Sequence, residues 1–322
     1  MSSPGYKLSA QIVEEAIEEA YKLAQIDGQF PSAFLLCDPN NPLSTALEKD
    51  DLQAIADVLR AYPSINIVLD EAYAEMRLDY KRESLFSVAP DLANRMILIR
   101  SATKAFSAAG ERMAVVVACD DKIMSELTAE HTNICGHAPK SSQILFADAM
   151  TRLTEKKQES LMDYYSKKIF YVEKRIEELH AKLPDTNYCS RGTFYVLANL
   201  QDLIGTPINK DCFRAIQRQM SEKNSPALIE TDEEIVYHLL FTYGVMVAPL
   251  SYFGLSNQLG YIRITCSAEK NELEEMMDKI ECALNMAKAF KKEFLVEDIT
   301  NNEKSLCIES CHVKDEVLGI TC

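Results

Sequence analysis

From Ser9 to Ala24 the stretch SAQIVEEAIEEAYKLA repeats apolar residues every three or four positions between acids, which predicts an amphipathic surface helix with Ser9 as its N-cap. The pattern then changes to short apolar runs: SAFLLCD (32–38), INIVLD (65–70), RMILIRS (95–101) and RMAVVVA (112–118). The helical segment LEKDDLQAIADVLRAY separates the first two. Runs of this length, several rich in Val and Ile and the first ones alternating with helix, predict an α/β fold with a largely parallel sheet covered by helices on both faces. Met96 to Ile99 and Met113 to Ala118 read as buried strands within it. Residues 1–140 form a large domain on this reading, and 141–183 form connecting helices that carry apolar positions at helical period, as in YVEKRIEELHAKL. Past Pro184 come hairpin-like NYCSRGTFYVLANL, then helix, GVMVAPLSYFG, GYIRITCS and the helix EKNELEEMMDKIECALNMAKAF. These predict a smaller C-terminal α+β domain over 184–296. Periodicity fades after Val296, so 297–322 is expected to be a weakly ordered tail.

Composition narrows the function classes. A 322-residue chain with 47% hydrophobic and 26% charged residues is globular, and a formal charge of −15 works against binding a phosphate backbone. No nucleic-acid partner is expected. No apolar run approaches the roughly 20 residues needed to span a bilayer, and the opening MSSPGYKLSA lacks an apolar signal region, so the expectation is a cytoplasmic protein with no membrane partner. Ten cysteines without a repeated short spacing argue against a disulfide framework. Cys307, Cys311 and His312 have a metal-compatible spacing but no evident fourth ligand, and the five histidines show no paired spacing; no metal is expected.

In doubly wound sheets ligands bind beyond the carboxyl ends of the strands. That rim holds Asp38, Asn40 and Asn41 after the first run, Asp70, Glu71 and Tyr73 after the second, and Ser101, Thr103 and Lys104 after the third. Each has a structural explanation by itself: a helix cap for Asp70, a turn for Asn41 before Pro42, a solvated Lys104, an ion pair for Arg112. Glu71, next to Asp70, alternates to the other side of a continuing strand and reads as structural.

The order of the motifs is more telling. DPNNP, LDEAY and SATK follow successive strands, Arg112 lies eight positions beyond Lys104, and YIRIT lies far downstream. Together they resemble the fold type I pyridoxal-phosphate-dependent aminotransferases of class I/II, over about Leu8 to Ala289. DEAY and TKAFSAAGER are most similar to the histidinol-phosphate aminotransferase-like branch, and NNPLS is also similar to aminocyclopropane-carboxylate synthases.

The resemblance implies pyridoxal 5'-phosphate as cofactor, an L-amino acid and a 2-oxo acid as substrates, and a homodimer. It implies that Lys104 forms a Schiff base with the cofactor and later moves the proton at the substrate's Cα. Asp70 would favour the protonated ring nitrogen, and Asn41 and Tyr73 would hydrogen-bond the ring oxygen. Ser101, Thr103 and Arg112 would grip the phosphate, and Arg263, in YIRIT of the smaller domain, would pair with the substrate carboxylate beside Asn41. Thr103, Ala114 and Asp38 stand where the family more often has Ser, Gly and Asn. The family's N-terminal arm, first sheet strands and small-residue phosphate loop are not matched, which implies an incomplete sheet with an edge exposed unless a partner chain or the tail covers it. A lyase or decarboxylase of the same fold, and a non-catalytic binding module derived from it, are the alternative functions.

Overall fold

In the computed structural model the backbone is described for residues 4–81, 83–152, 155–208 and 228–312, and the side chains over the same ranges except 155, 156, 158, 160 and 294–312. Ser9 caps helix α1 (Ala10–Asp27) as its sequence suggests: its side chain accepts from the Ile12 N–H, and Gly28, at φ 76°, closes the other end. Helix α2 (Lys49–Ala61) opens with a reciprocal capping box between Glu48 and Asp51 and buries Leu52, Ile55, Ala56 and Leu59, one stripe at i, i+3, i+4 and i+7. Arg95 finishes α2 by donating to the carbonyls of Leu59, Tyr62 and Ile65 at 2.6–2.9 Å.

These helices pack on a sheet of four strands, β1 (Ala33–Cys37), β2 (Asn66–Asp70), β3 (Met96–Ser101) and β4 (Ala114–Ala118), in that order. The first three are parallel and β4 is antiparallel to β3. Val13, Ile17, Leu36, Ile67, Leu69 and Met96 join the α2 stripe in one core, with α3 (Leu85–Val88) contributing Leu85. Because side chains alternate along a strand, the residues in register Leu35, Val68, Ile97 and Ala118 point to the opposite face.

Leu35 on that opposite face, and strand β4 on both of its faces, depart from the sequence reading. Leu35 is 65% exposed, and Val115, Val116 and Val117 are 39%, 41% and 37% exposed, so Met113–Ala118 is not a buried strand. The reason is position: among the described residues β4 is the last strand of the sheet, and helix α4 (Asp121–Cys135), next in the chain, buries none of its residues. Helices α5 (Lys140–Arg152) and α6 (Glu155–Glu178) follow, and Met162, Ile169, Val172 and Ile176 of α6 are buried.

Strands β5 (Tyr195–Asn199), β6 (Ala248–Pro249) and β7 (Tyr261–Thr265) form a second sheet in the order β5-β7-β6. The chain divides into two compact units, one of Met1–Leu197 with Arg263–Lys270 and one of Ala198–Ile262 with Asn271–Cys322. Arg263 falls in the first of these units, together with residues 1–197. Within the second unit, α7 (Asp232–His238) starts with a capping box of Thr231 and Glu234, and buried Asp232 accepts the Ser251 N–H at 2.9 Å. Helix α8 (Lys270–His312) buries Leu273, Met277, Ile280, Ala283, Leu284 and Ala287 at heptad-like spacing. It continues past the point where the sequence pattern fades; residues 313–322 of the expected tail lie outside the described residues, as do the side chains of Cys307, Cys311 and His312. No helix among the described residues is long and apolar enough to cross a membrane.

Candidate active site

All the site residues described next belong to the first unit. The DPNNP loop leaves β1 and folds back on itself: Asn40 donates its N–H to Thr45 O at 2.8 Å and accepts the Ser44 N–H at its own carbonyl at 2.9 Å. Its side-chain oxygen takes the Leu43 N–H at 3.1 Å, and the Asp38–Pro39 and Asn41–Pro42 peptide bonds are cis. The segment leading into β5 is stitched to this loop. Arg191 and Gly192 donate their N–H groups to Ser44 O at 2.7 and 3.1 Å, the Ser44 hydroxyl donates to Gly192 O, and its oxygen lies 3.0 Å from the Thr193 hydroxyl. Gly192 is required here, since a Cβ would sit 2.6 Å from Pro39 Cβ.

The stitching delivers Phe194 and Tyr195 to the end of β2. Tyr73, 3% exposed, has its hydroxyl 3.0 Å from that of Tyr195 and its ring edge-on to both aromatic neighbours. Lys104 Nζ lies 5.6 Å from the Tyr73 ring centre and 5.9 Å from that of Phe194. The Arg263 guanidinium sits 4.1 Å over the Tyr195 ring and donates to Asn41 Oδ1 at 2.5 Å. Burial holds the Tyr73 phenol well above its usual range, with Arg263 pulling the other way. Asp70 accepts the Ala72 N–H at 3.1 Å and pairs in register with Cys37, whose thiol burial pushes up to about 11.

Behind the loop, Asp38 accepts the Leu47 N–H at 2.8 Å and lies 3.6 Å from Arg77, itself only 1% exposed. Burial pushes Asp38 up to about 7, against the lowering influence of Leu47 and Arg77. Glu71 turns away from the cluster to Arg100, 3.0 Å from its Nε, and to Ser84, in keeping with a structural part.

The structure thus gathers Asn41, Tyr73, Lys104 and Arg263 around an aromatic floor. Ser101, Thr103 and Arg112 stand at the adjoining strand ends, with their hydrogen bonds directed within their own loop: the Thr103 N–H donates to Ser101 Oγ at 3.1 Å, and Arg112 donates to Ala109 O at 3.1 Å. Arg112 is exposed and holds a left-handed backbone, φ 51° and ψ 44°. Sequence reasoning missed Phe194 and Tyr195; the signal available was an aromatic pair at the head of a strand, two residues beyond a glycine. The donor set suits a group carrying an aldehyde, a phenolic oxygen, a basic ring nitrogen and an anionic tail, since it offers one amine, a carboxylate, a phenol, an amide and two guanidiniums.

Comparison with known proteins agrees in kind. The chain is 24% identical over 281 residues to a probable aspartate/prephenate aminotransferase of Rickettsia felis, covering 86% of this chain and 60% of that protein. It is 29% identical over 249 residues to an aspartate aminotransferase of Pyrococcus horikoshii, covering 76% and 55%. In structure it superposes on the aspartate aminotransferase of Rhizobium meliloti with a TM-score of 0.70 at 20% identity, covering 87% and 62%. A PLP-bound putative aminotransferase from Clostridium difficile gives 0.64 at 23%, covering 82% and 61%. The chain spans less than two thirds of the length of each of these relatives. Its residues 2–280 match the family described as aminotransferase class I and II, and the chain belongs to that family.

Proposed function

We propose that the protein is a pyridoxal-phosphate-dependent aminotransferase that moves an amino group between an L-amino acid and a 2-oxo acid. The observation that carries this reading is Lys104 set over Tyr73 and Phe194, with Tyr73 linked through Tyr195 to the bonded pair Asn41 and Arg263. When bound, the cofactor supplies an aldehyde for amine capture and a ring that accepts the electron pair left at Cα. The chain's own residues do the remaining work.

Lys104 Nζ would hold the cofactor through its amine, and as a free amine it would take and return a proton at Cα. Asp70 holds a proton on the ring nitrogen by its negative charge. Tyr73 and Asn41 donate to the ring oxygen. Arg263 offers its planar fork to the substrate carboxylate, and its bond to Asn41 keeps the two donors on one side. Ser101, Thr103 and Arg112 hold the phosphate. The left-handed backbone of Arg112 supports this role, because a residue other than glycine there carries strain on the order of 1–2 kcal/mol that packing alone does not call for at an exposed position. Residues 1–140 form the cofactor-binding domain in this proposal, 141–183 the connection, 184–296 the smaller domain and 297–322 the tail, with a homodimer in the cytoplasm as the working form, as the resemblance to the family suggests.

The test is the absorbance spectrum of the purified chain with pyridoxal phosphate, before and after borohydride reduction, with peptide mapping. A band trapped on Lys104, absent from Lys104→Ala, is expected, together with turnover of an amino donor. Loss of substrate carbon dioxide or a side chain instead of amino transfer would reassign the protein to a lyase or decarboxylase of the same fold. No band would point to a binding module.

A further inference from the structure

Tyr195 joins two parts of the site that the sequence separates. Its ring is buried at the head of β5, its hydroxyl is 3.0 Å from that of Tyr73, and its face carries the Arg263 guanidinium at 4.1 Å. The geometry points to Tyr195 as a positioning residue that aligns the Tyr73 hydroxyl and holds the Arg263 guanidinium flat, so that one side chain sets both ends of the site. The inference rests on the aminotransferase reading above.

The two contacts do different things. A phenol has one proton and accepts at its oxygen, so Tyr73 can accept from Tyr195 and keep its own proton for an acceptor in the site. The groups that face Tyr73 are Tyr195, Arg263, Cys37 and the Lys104 amine, and Tyr195 lies at hydrogen-bond distance from its hydroxyl. A guanidinium stacked on an aromatic face keeps its N–H donors in the plane, directed outward, where a carboxylate meets them as a fork. Asn41 already holds one edge of Arg263. Tyr195, lying under the face of the guanidinium, opposes the tilt of its plane.

The experiment uses the full chain loaded with pyridoxal phosphate, in the parent, Tyr195→Phe, Tyr195→Leu, Tyr73→Phe and the Tyr73→Phe/Tyr195→Phe double variant. Two quantities are read: the pH midpoint of the visible absorbance, and the L-aspartate concentration that half-saturates the spectral change. Tyr195→Phe is expected to move the midpoint upward by roughly half a pH unit, the size of one modest hydrogen bond, because a ring oxygen with a weaker donor holds a shared proton more tightly. The same substitution in the Tyr73→Phe background is expected to move it no further. Half-saturation should stay within about twofold for Tyr195→Phe, which keeps the ring, and rise about fivefold for Tyr195→Leu, which removes the platform.

A Tyr195→Phe midpoint equal to the parent's overturns the inference, and so does an equal shift with and without Tyr73, which would make the effect one of packing. If Tyr195→Leu does not fold, Tyr195→Phe and the double variant still decide. A parent chain with no Lys104-dependent band overturns both the aminotransferase reading and this inference, whereas a band with an unmoved midpoint overturns the inference alone.

Discussion

Asp38 is held by two opposing influences, burial against the charge and Arg77 in favour of it, and burial prevails. With a folded pKa of about 7, above the ordinary value of 3.8, the native state binds more protons than the unfolded chain between those limits. Stability contributed by this group is therefore full below about pH 4 and falls as pH rises toward 7. Asp38→Asn keeps an acceptor for the Leu47 N–H and removes the titration. Thermal melts at pH 4.5 and 7.5 should show the variant gaining on the parent by roughly 5 °C over that range. A constant difference between the two proteins would reject the burial argument. That Asp38 stands where the family more often has Asn was legible in the sequence. Its burial against Arg77 was not, since nothing in DPNNP says which later residue closes over it.

At the scale of elements, the site depends on the join between the DPNNP loop and the head of β5. Gly192 sits against Pro39, and a Cβ would come within 2.6 Å of Cβ and 2.9 Å of Cγ of a proline ring that cannot swing aside. Gly192→Ala is expected to destabilise the chain by about 1–3 kcal/mol and to displace Phe194 and Tyr195 from Tyr73, with loss of cofactor absorbance. Equilibrium unfolding in urea alongside the absorbance titration checks both effects; a variant with parental stability and band would show that the loop yields. Helices α1 and α2 and strands β1 to β3 could be read in advance because their periodicity is local. The Gly192 constraint could not, because its partner is far away in the chain.

For the whole molecule, the main consequence is a sheet that ends at β4 with an uncharged strand, AVVVA, exposed along its length. Exposed apolar edge strands are templates for pairing with other chains. Val116→Lys places a charge midway along the strand and is expected to lower concentration-dependent light scattering of the isolated chain at least severalfold with little change in melting temperature. Equal scattering would show that the edge is not what associates. An apolar run by itself does not say on which faces it is covered, which is why 115–117 are exposed where the sequence predicts a buried strand. The sequence by itself determined the helical and strand periods, the α/β class and the order of the motifs that carry Asn41, Asp70, Tyr73, Lys104, Arg112 and Arg263, because these depend on neighbours in the chain and on residue type. Only the tertiary structure decided that Arg263 is bonded to Asn41, that Tyr195 lies between Tyr73 and Arg263, that Arg112 is exposed and that β4 is an open edge. Those are relations between distant segments, set by how the sheet and the β5 lead-in pack around the loop, and no local pattern encodes them.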